Sequence, residues 1–167
     1  MNAGIQGATF TVVNRCQSTI WPGILANAGS QPLDSTGFEL PSGETRTFQA
    51  PPSWSGRFWG RTGCQFDPST NQGTCLTGDC GSNQIECNGQ NAKPPATLAE
   101  FTVAPAGGQD YCSGEFGSPD TCKPSRYSEM FKSACPRAYS YAYDDASSTF
   151  TCSGADYMIT FCPSSTR

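Results

Sequence analysis

The chain has 167 residues, enough for one domain with a core and too few for two of ordinary size. A net charge of −4 with only 14% charged residues provides no basic stripe for nucleic acid or anionic lipid, so neither is expected as a partner. The absence of histidine excludes imidazole-activated nucleophiles and His-based metal sites, which leaves carboxylates, tyrosine or lysine for any catalysis. Ten cysteines, an even number, point to a disulfide framework made in an oxidising compartment. Their irregular, loop-like spacing from Cys64 through Cys75, Cys80 and Cys87 does not suit zinc, and no metal or cofactor is expected. No run of the ~18 apolar residues needed to span a membrane occurs.

Residues 1–7 read as the remnant of a signal peptide, or an expression tail, behind a substituted initiator methionine, so the mature protein is expected to begin near Ala8. Ala8 to Asn14 alternates as a strand, with Phe10 and Val12 on one face and Thr9, Thr11 and Val13 on the other. Thr45 to Ala50, Arg57 to Arg61, Thr97 to Val103, Tyr139 to Tyr143 and Asp156 to Phe161 behave in the same way. Glycine and proline punctuate these segments every few residues, which predicts an all-β protein built as a two-layer sandwich or flattened barrel. One short C-terminal helix is predicted over Ser125 to Ala134, where Tyr127, Met130, Phe131 and Ala134 form a stripe suited to packing on a sheet. Asp67 to Gly73 has neither the spacing nor the terminal glutamate of a calcium loop and reads as a turn between strands. No Asn-x-Ser/Thr sequon is present.

Alternation also places Arg57, Trp59 and Arg61 on one strand face, and Glu100 on a face with Leu98 and Thr102. A carboxylate in mid-strand wants a partner, and an arginine on a neighbouring strand can supply one. Such a pair serves either as a structural ion pair or as part of a ligand site. Trp59 and the period-two tyrosines Tyr139, Tyr141 and Tyr143 could form a platform for sugar rings, or sit half-buried as ordinary strand residues.

Several segments in order carry a resemblance: Ala8 to Cys16 with Thr19-Ile20-Trp21-Pro22-Gly23, then Gly56-Arg57-Phe58-Trp59-Gly60-Arg61-Thr62-Gly63-Cys64 and Cys75-Leu76-Thr77-Gly78-Asp79-Cys80. Pro94-Pro95-Ala96-Thr97-Leu98-Ala99-Glu100-Phe101, Cys122-Lys123-Pro124-Ser125-Arg126-Tyr127-Ser128, Ala138 to Asp145 and Thr160-Phe161-Cys162-Pro163 continue it. Together they resemble the thaumatin-like, pathogenesis-related family of plant defence proteins over nearly the whole chain. The resemblance implies a flattened two-sheet β-sandwich, rich in disulfides, occupying residues 8–167 as a single domain. It also implies that the second disulfide-rich domain of full-length relatives is deleted near residues 110–112. Asn71 and Asn83 stand where the family usually has glycine, and asparagine is the residue best able to keep the left-handed turns.

Carried over by that resemblance, the disulfides are Cys16–Cys162, Cys64–Cys75, Cys80–Cys87 and Cys112–Cys122; the usual partners of Cys135 and Cys152 fall in the missing stretch, which leaves Cys135–Cys152. The family's cleft is lined by an arginine, a glutamate and three aspartates. Its counterparts here are Arg57, Glu100 and Asp145, with two aspartates lost to the deletion. The implied function is a secreted, apoplastic, monomeric defence protein that binds β-1,3-glucan or another microbial surface through Arg57, Trp59, Glu100 and Asp145.

Two alternatives stand beside it. One is a weak endo-β-1,3-glucanase with Glu100 as general acid and Asp145 as nucleophile or base, which ranks lower because losing a cleft wall exposes the acid that catalysis needs desolvated. The other is an inhibitor of a microbial glycoside hydrolase such as xylanase, as some short members resemble. The cysteine framework is checked by alkylating the native protein without reduction: mass spectrometry should find all ten cysteines unlabelled, and labelling of Cys135 or Cys152 would refute their pairing.

Overall fold

The computed structural model describes residues 7–103 and 156–163, which belong to one compact unit of the chain, and eight strands form within them. These are β1 (Ala8–Asn14), β2 (Trp21–Ala26), β3 (Thr45–Ala50), β4 (Ser55–Arg61), β5 (Gln65–Phe66), β6 (Gly73–Thr74), β7 (Leu98–Thr102) and β8 (Tyr157–Phe161). They make two three-stranded sheets, ordered β3-β1-β8 and β2-β4-β7, and the two-stranded hairpin β5-β6. The predicted helix Ser125 to Ala134, the strand Tyr139 to Tyr143 and the pairs Cys112–Cys122 and Cys135–Cys152 lie outside the described residues.

Strict alternation in β1 buries Ala8, Phe10, Val12 and Asn14 and leaves the intervening residues half-exposed, as period-two patterning requires of a sheet with one wet face. Phe10, with 0% of its surface exposed, centres the core: its ring lies 5.3 Å from Trp54, 5.2 Å from Phe58, 4.9 Å from Phe101 and 5.0 Å from Tyr157. Phe58 and Phe101 come from the second sheet, so these contacts join the layers of the sandwich, several of them edge-to-face.

The first sheet unites the two ends of the described chain. β1 runs antiparallel to β3 but parallel to β8, with Asn14 opposite Phe161 at the end of the pairing. Just beyond that point Cys16 is bonded to Cys162 across 146 residues of sequence. In the chain-entropy model a closure of that length stabilises by about 5 kcal/mol, an upper figure. Cys64–Cys75 closes the base of the β5-β6 hairpin, and Cys80–Cys87 closes a short loop.

Three strands are absent from the sequence reading, the two-residue β5 and β6 and the longer β2. β2 contains Pro22 and Gly23, which resemble turn punctuation, yet it pairs with β4 from Trp21↔Arg61 to Ala26↔Gly56. Proline fits because β2 lies at the edge of its sheet, where the lost donor costs least, and its carbonyl accepts from the Phe38 N–H at 3.2 Å. Glycine is required at 23 because a Cβ there would approach the Trp59 ring to 2.4 Å. Asn71 and Asn83 do adopt left-handed backbone, with φ of 54° and 57°, so the asparagines keep the turns that glycine would otherwise make. Since both layers lean on Phe10, Phe10→Ala should lower the unfolding free energy by about 3–5 kcal/mol in urea titrations.

Candidate functional site

The outer face of sheet β2-β4-β7 divides into a closed half and an open half, and both are set by β4. Phe58 points into the core, whereas Arg57, Trp59 and Arg61 share the opposite face, in agreement with the alternation of the strand. A covering segment closes over the Trp59 and Arg61 end, where Trp59, Cys80 and Cys87 form a second apolar cluster with Leu25 and Ala92 packed against it.

Trp59 is only 1% exposed, and its indole N–H donates to the Gly78 carbonyl at 2.8 Å. The expectation that it offers a ring face to sugars is therefore corrected: Trp59 is a buried anchor for the covering segment. Arg61 is fully buried as well. Its Nε donates to the Trp21 carbonyl at 2.9 Å, one terminal nitrogen to Ile85 at 2.6 Å and Pro22 at 3.4 Å, and the other to Gln84 at 3.5 Å and Cys80 Sγ at 3.6 Å. Desolvation pulls its pKa down to about 10 against the opposing fields of Asp79 and Glu86, so it is still a cation at neutral pH.

Glu86 ties the covering segment to the loop before β3. Ser35 Oγ donates to its Oε1 at 2.7 Å, and Oε2 accepts from Thr36 N–H at 2.6 Å, Thr36 Oγ1 at 2.7 Å and Gly37 N–H at 3.0 Å. Burial pushes this carboxyl up, but the hydrogen bonds from Thr36, Ser35 and Gly37 outweigh it and hold the group below its ordinary value.

The open half begins at Arg57. The β4-β7 register sets Arg57 directly opposite Glu100, and the guanidinium reaches the Glu100 carboxylate at 3.5 Å. The arginine side chain is 24% exposed and the glutamate 62%, so the pair sits at the surface with the carboxylate outermost. Asn27, just past the end of β2, accepts from the same guanidinium through Oδ1 at 3.3 Å. Sequence reasoning did not find Asn27; the only signal was an asparagine at the end of an apolar segment and ahead of a glycine turn. Asp145 lies outside the described residues, as do Tyr139, Tyr141 and Tyr143.

Among the described residues no cluster of three His, Cys, Asp or Glu side chains could hold a metal ion, and no helix is long and apolar enough to cross a membrane. Asp67 is occupied within its own turn, accepting from Ser69 N–H at 2.8 Å, from Thr70 N–H at 2.9 Å and from the Ser69 hydroxyl. The Ser69 hydroxyl bond is the chief reason its carboxyl is held below its ordinary value.

Fold and site define a disulfide-stapled β-sandwich that presents a small charged row on a rigid sheet. The thaumatin family model matches residues 14–111 and 106–163, and the chain belongs to the thaumatin family. It is 50% identical over 232 aligned positions to thaumatin-like protein 1 of Arabidopsis thaliana, covering 98% of this chain and 89% of the relative. It is 43% identical to a pathogenesis-related thaumatin-like protein 3.5 of Cryptomeria japonica, covering 95% and 92% of the two chains. Pathogenesis-related protein 5 of Arabidopsis thaliana matches at 39% identity with the same 95% and 92% coverage. A solved thaumatin-like xylanase inhibitor shares 37% identity over 57% of this chain and 60% of its own, with a TM-score of 0.47.

Glu86 gives the site region an acid dependence. Its folded-state pKa lies below the ordinary 4.5, so its stabilising contribution is complete above that value and is lost as pH falls through the lower folded value. Glu86→Gln should therefore destabilise the protein by about 1–2 kcal/mol near neutrality, and urea midpoints of the two proteins should converge in acid.

Proposed function

We propose that the protein is a secreted defence protein that binds β-1,3-glucan or a related neutral cell-wall polymer through Arg57 and Glu100, with Asp145 added by the family resemblance. The observation that carries this reading is the Arg57–Glu100 pair, which stands on the open half of a rigid sheet with its carboxylate 62% exposed. An ionised carboxylate is an acceptor for sugar hydroxyls, and a guanidinium beside it supplies donors, the two capacities that a polyol requires. Disulfide bonding supports an oxidising, extracellular setting. The family match in two segments, and an alignment of 232 positions against 167 residues, support the deletion of the usual second domain.

Binding is favoured over hydrolysis on the surroundings of Glu100. A glycosidase acid is kept protonated by an apolar, water-excluding pocket, and it needs a second carboxylate at a defined distance. Glu100 instead lies in solvent beside a cation.

Glu100→Gln keeps the size of the side chain and removes its charge, and it should weaken binding to laminari-oligosaccharides by about 1–2 kcal/mol in calorimetric titration. Release of reducing sugar by the wild type, abolished by Glu100→Gln or Asp145→Asn at unchanged affinity, would make the protein an enzyme instead. A parallel titration with a microbial xylanase checks the inhibitor alternative.

A further inference from the structure

Asn27 is placed with more precision than a loop residue requires. Its N–H donates to the Ser55 carbonyl at 2.9 Å, and its own carbonyl accepts from Ser30 N–H at 2.9 Å, closing a four-residue turn in which Gly29 has φ of 87°. The turn is tied to β4 a second time by Ser30, whose Oγ accepts from Ser55 N–H at 2.9 Å. Two anchors on one strand fix the backbone of the turn, and the oxygen of the Asn27 carboxamide is held on Arg57 at 3.3 Å.

The Nδ2 end of that carboxamide has two N–H donors. It makes no hydrogen bond among the described residues, and Asn27 is half-exposed. On the other side of Arg57, Glu100 pairs through one oxygen and exposes the rest of its carboxylate. Across the sheet the order is thus donor, cation, acceptor, on three successive strands or their immediate ends.

We propose that Asn27 is a further binding residue of this site, donating from Nδ2 to one hydroxyl of a neutral oligosaccharide while Glu100 accepts from another and Arg57 lies between them. The inference rests on the carbohydrate reading and deepens it. A hydroxyl both donates and accepts, so a chain of hydroxyls can satisfy the row from end to end. An anionic ligand would gain Arg57 and Asn27 but would be repelled by Glu100, which selects for uncharged sugars.

Asn27→Asp tests the assignment because it keeps the shape, the oxygen that holds Arg57 and a residue suited to the turn, while exchanging the donor nitrogen for an acceptor oxygen that carries charge. Affinity for laminari-oligosaccharides should fall by about tenfold, the effect of one lost hydrogen bond at the upper end of its range, with no loss in the thermal midpoint. If Asn27→Asp binds like the wild type while Glu100→Gln does not, Asn27 only orients Arg57 and the assignment is overturned. A second readout separates this inference from the glucan reading: the side-chain amide signals of Asn27, followed by NMR during titration with laminari-, xylo- and chito-oligosaccharides. Movement with xylo- or chito-oligosaccharides but not the laminari series removes glucan and keeps Asn27 as a sugar donor. No movement with any of the three overturns the assignment.

Discussion

A buried guanidinium with every donor occupied organises the outer half of this protein. Arg61 stands at the end of the central strand β4 with no exposed surface, and its five N–H groups meet four backbone carbonyls and one cysteine sulfur. None of these acceptors is a carboxylate, so the charge is stabilised by dipoles at short range and by Asp79 and Glu86 through their fields. A cation withdrawn from water costs several kcal/mol unless its hydrogen bonds are complete. The carbonyls of Trp21, Pro22, Gln84 and Ile85 therefore have to converge on one place, which joins an edge strand to a distant disulfide loop.

That convergence explains why the same strand face is closed at one end and open at the other. With Ile85 and Gln84 drawn in, Cys80–Cys87 closes over β4 and Trp59 is buried beneath Gly78. Glu86 extends the cover by capping Thr36 and Gly37, while its neighbour Cys87 has no exposed surface. Arg57, four residues back on β4 and on the same face, lies beyond this cover and remains partly exposed. Two arginines with equal side chains and equal strand parity thus differ in exposure, because one is surrounded by converging carbonyls and the other by a single carboxylate and an amide oxygen.

Strand alternation in the sequence was sufficient to locate β1, β3, β4, β7 and β8 and to call for an arginine on a strand beside Glu100, because each has a period-two pattern of apolar residues or a charge in mid-strand, whereas the register that makes it Arg57 came from the structure. The pattern fails for β2, where Pro22 and Gly23 serve edge pairing and the close approach of Trp59 rather than a turn. It also fails to distinguish Arg61 from Arg57 or to show that Trp59 is covered. Burial on that face is decided by residues 78–92, remote in sequence and carrying no periodic signal of their own. Asn27 escaped for a related reason: its place beside Arg57 follows from backbone hydrogen bonds to Ser55 and Ser30, and those depend on how β2 leaves the sheet.

The surroundings of the open row also bear on the kind of ligand it can serve. Exposed ion pairs and single hydrogen bonds are each worth little, of order 1 kcal/mol, and a row of three side chains cannot by itself hold a small free sugar tightly. A polymer changes that arithmetic. A repeating chain presents the same hydroxyl pattern many times, so a released site meets another copy at high effective concentration. On the carbohydrate reading proposed above, Arg57 is already held by Glu100 and Asn27 and would lose less side-chain freedom on binding. On the same reading, a shallow row whose two charges balance is better matched to an extended wall polymer than to a soluble monosaccharide.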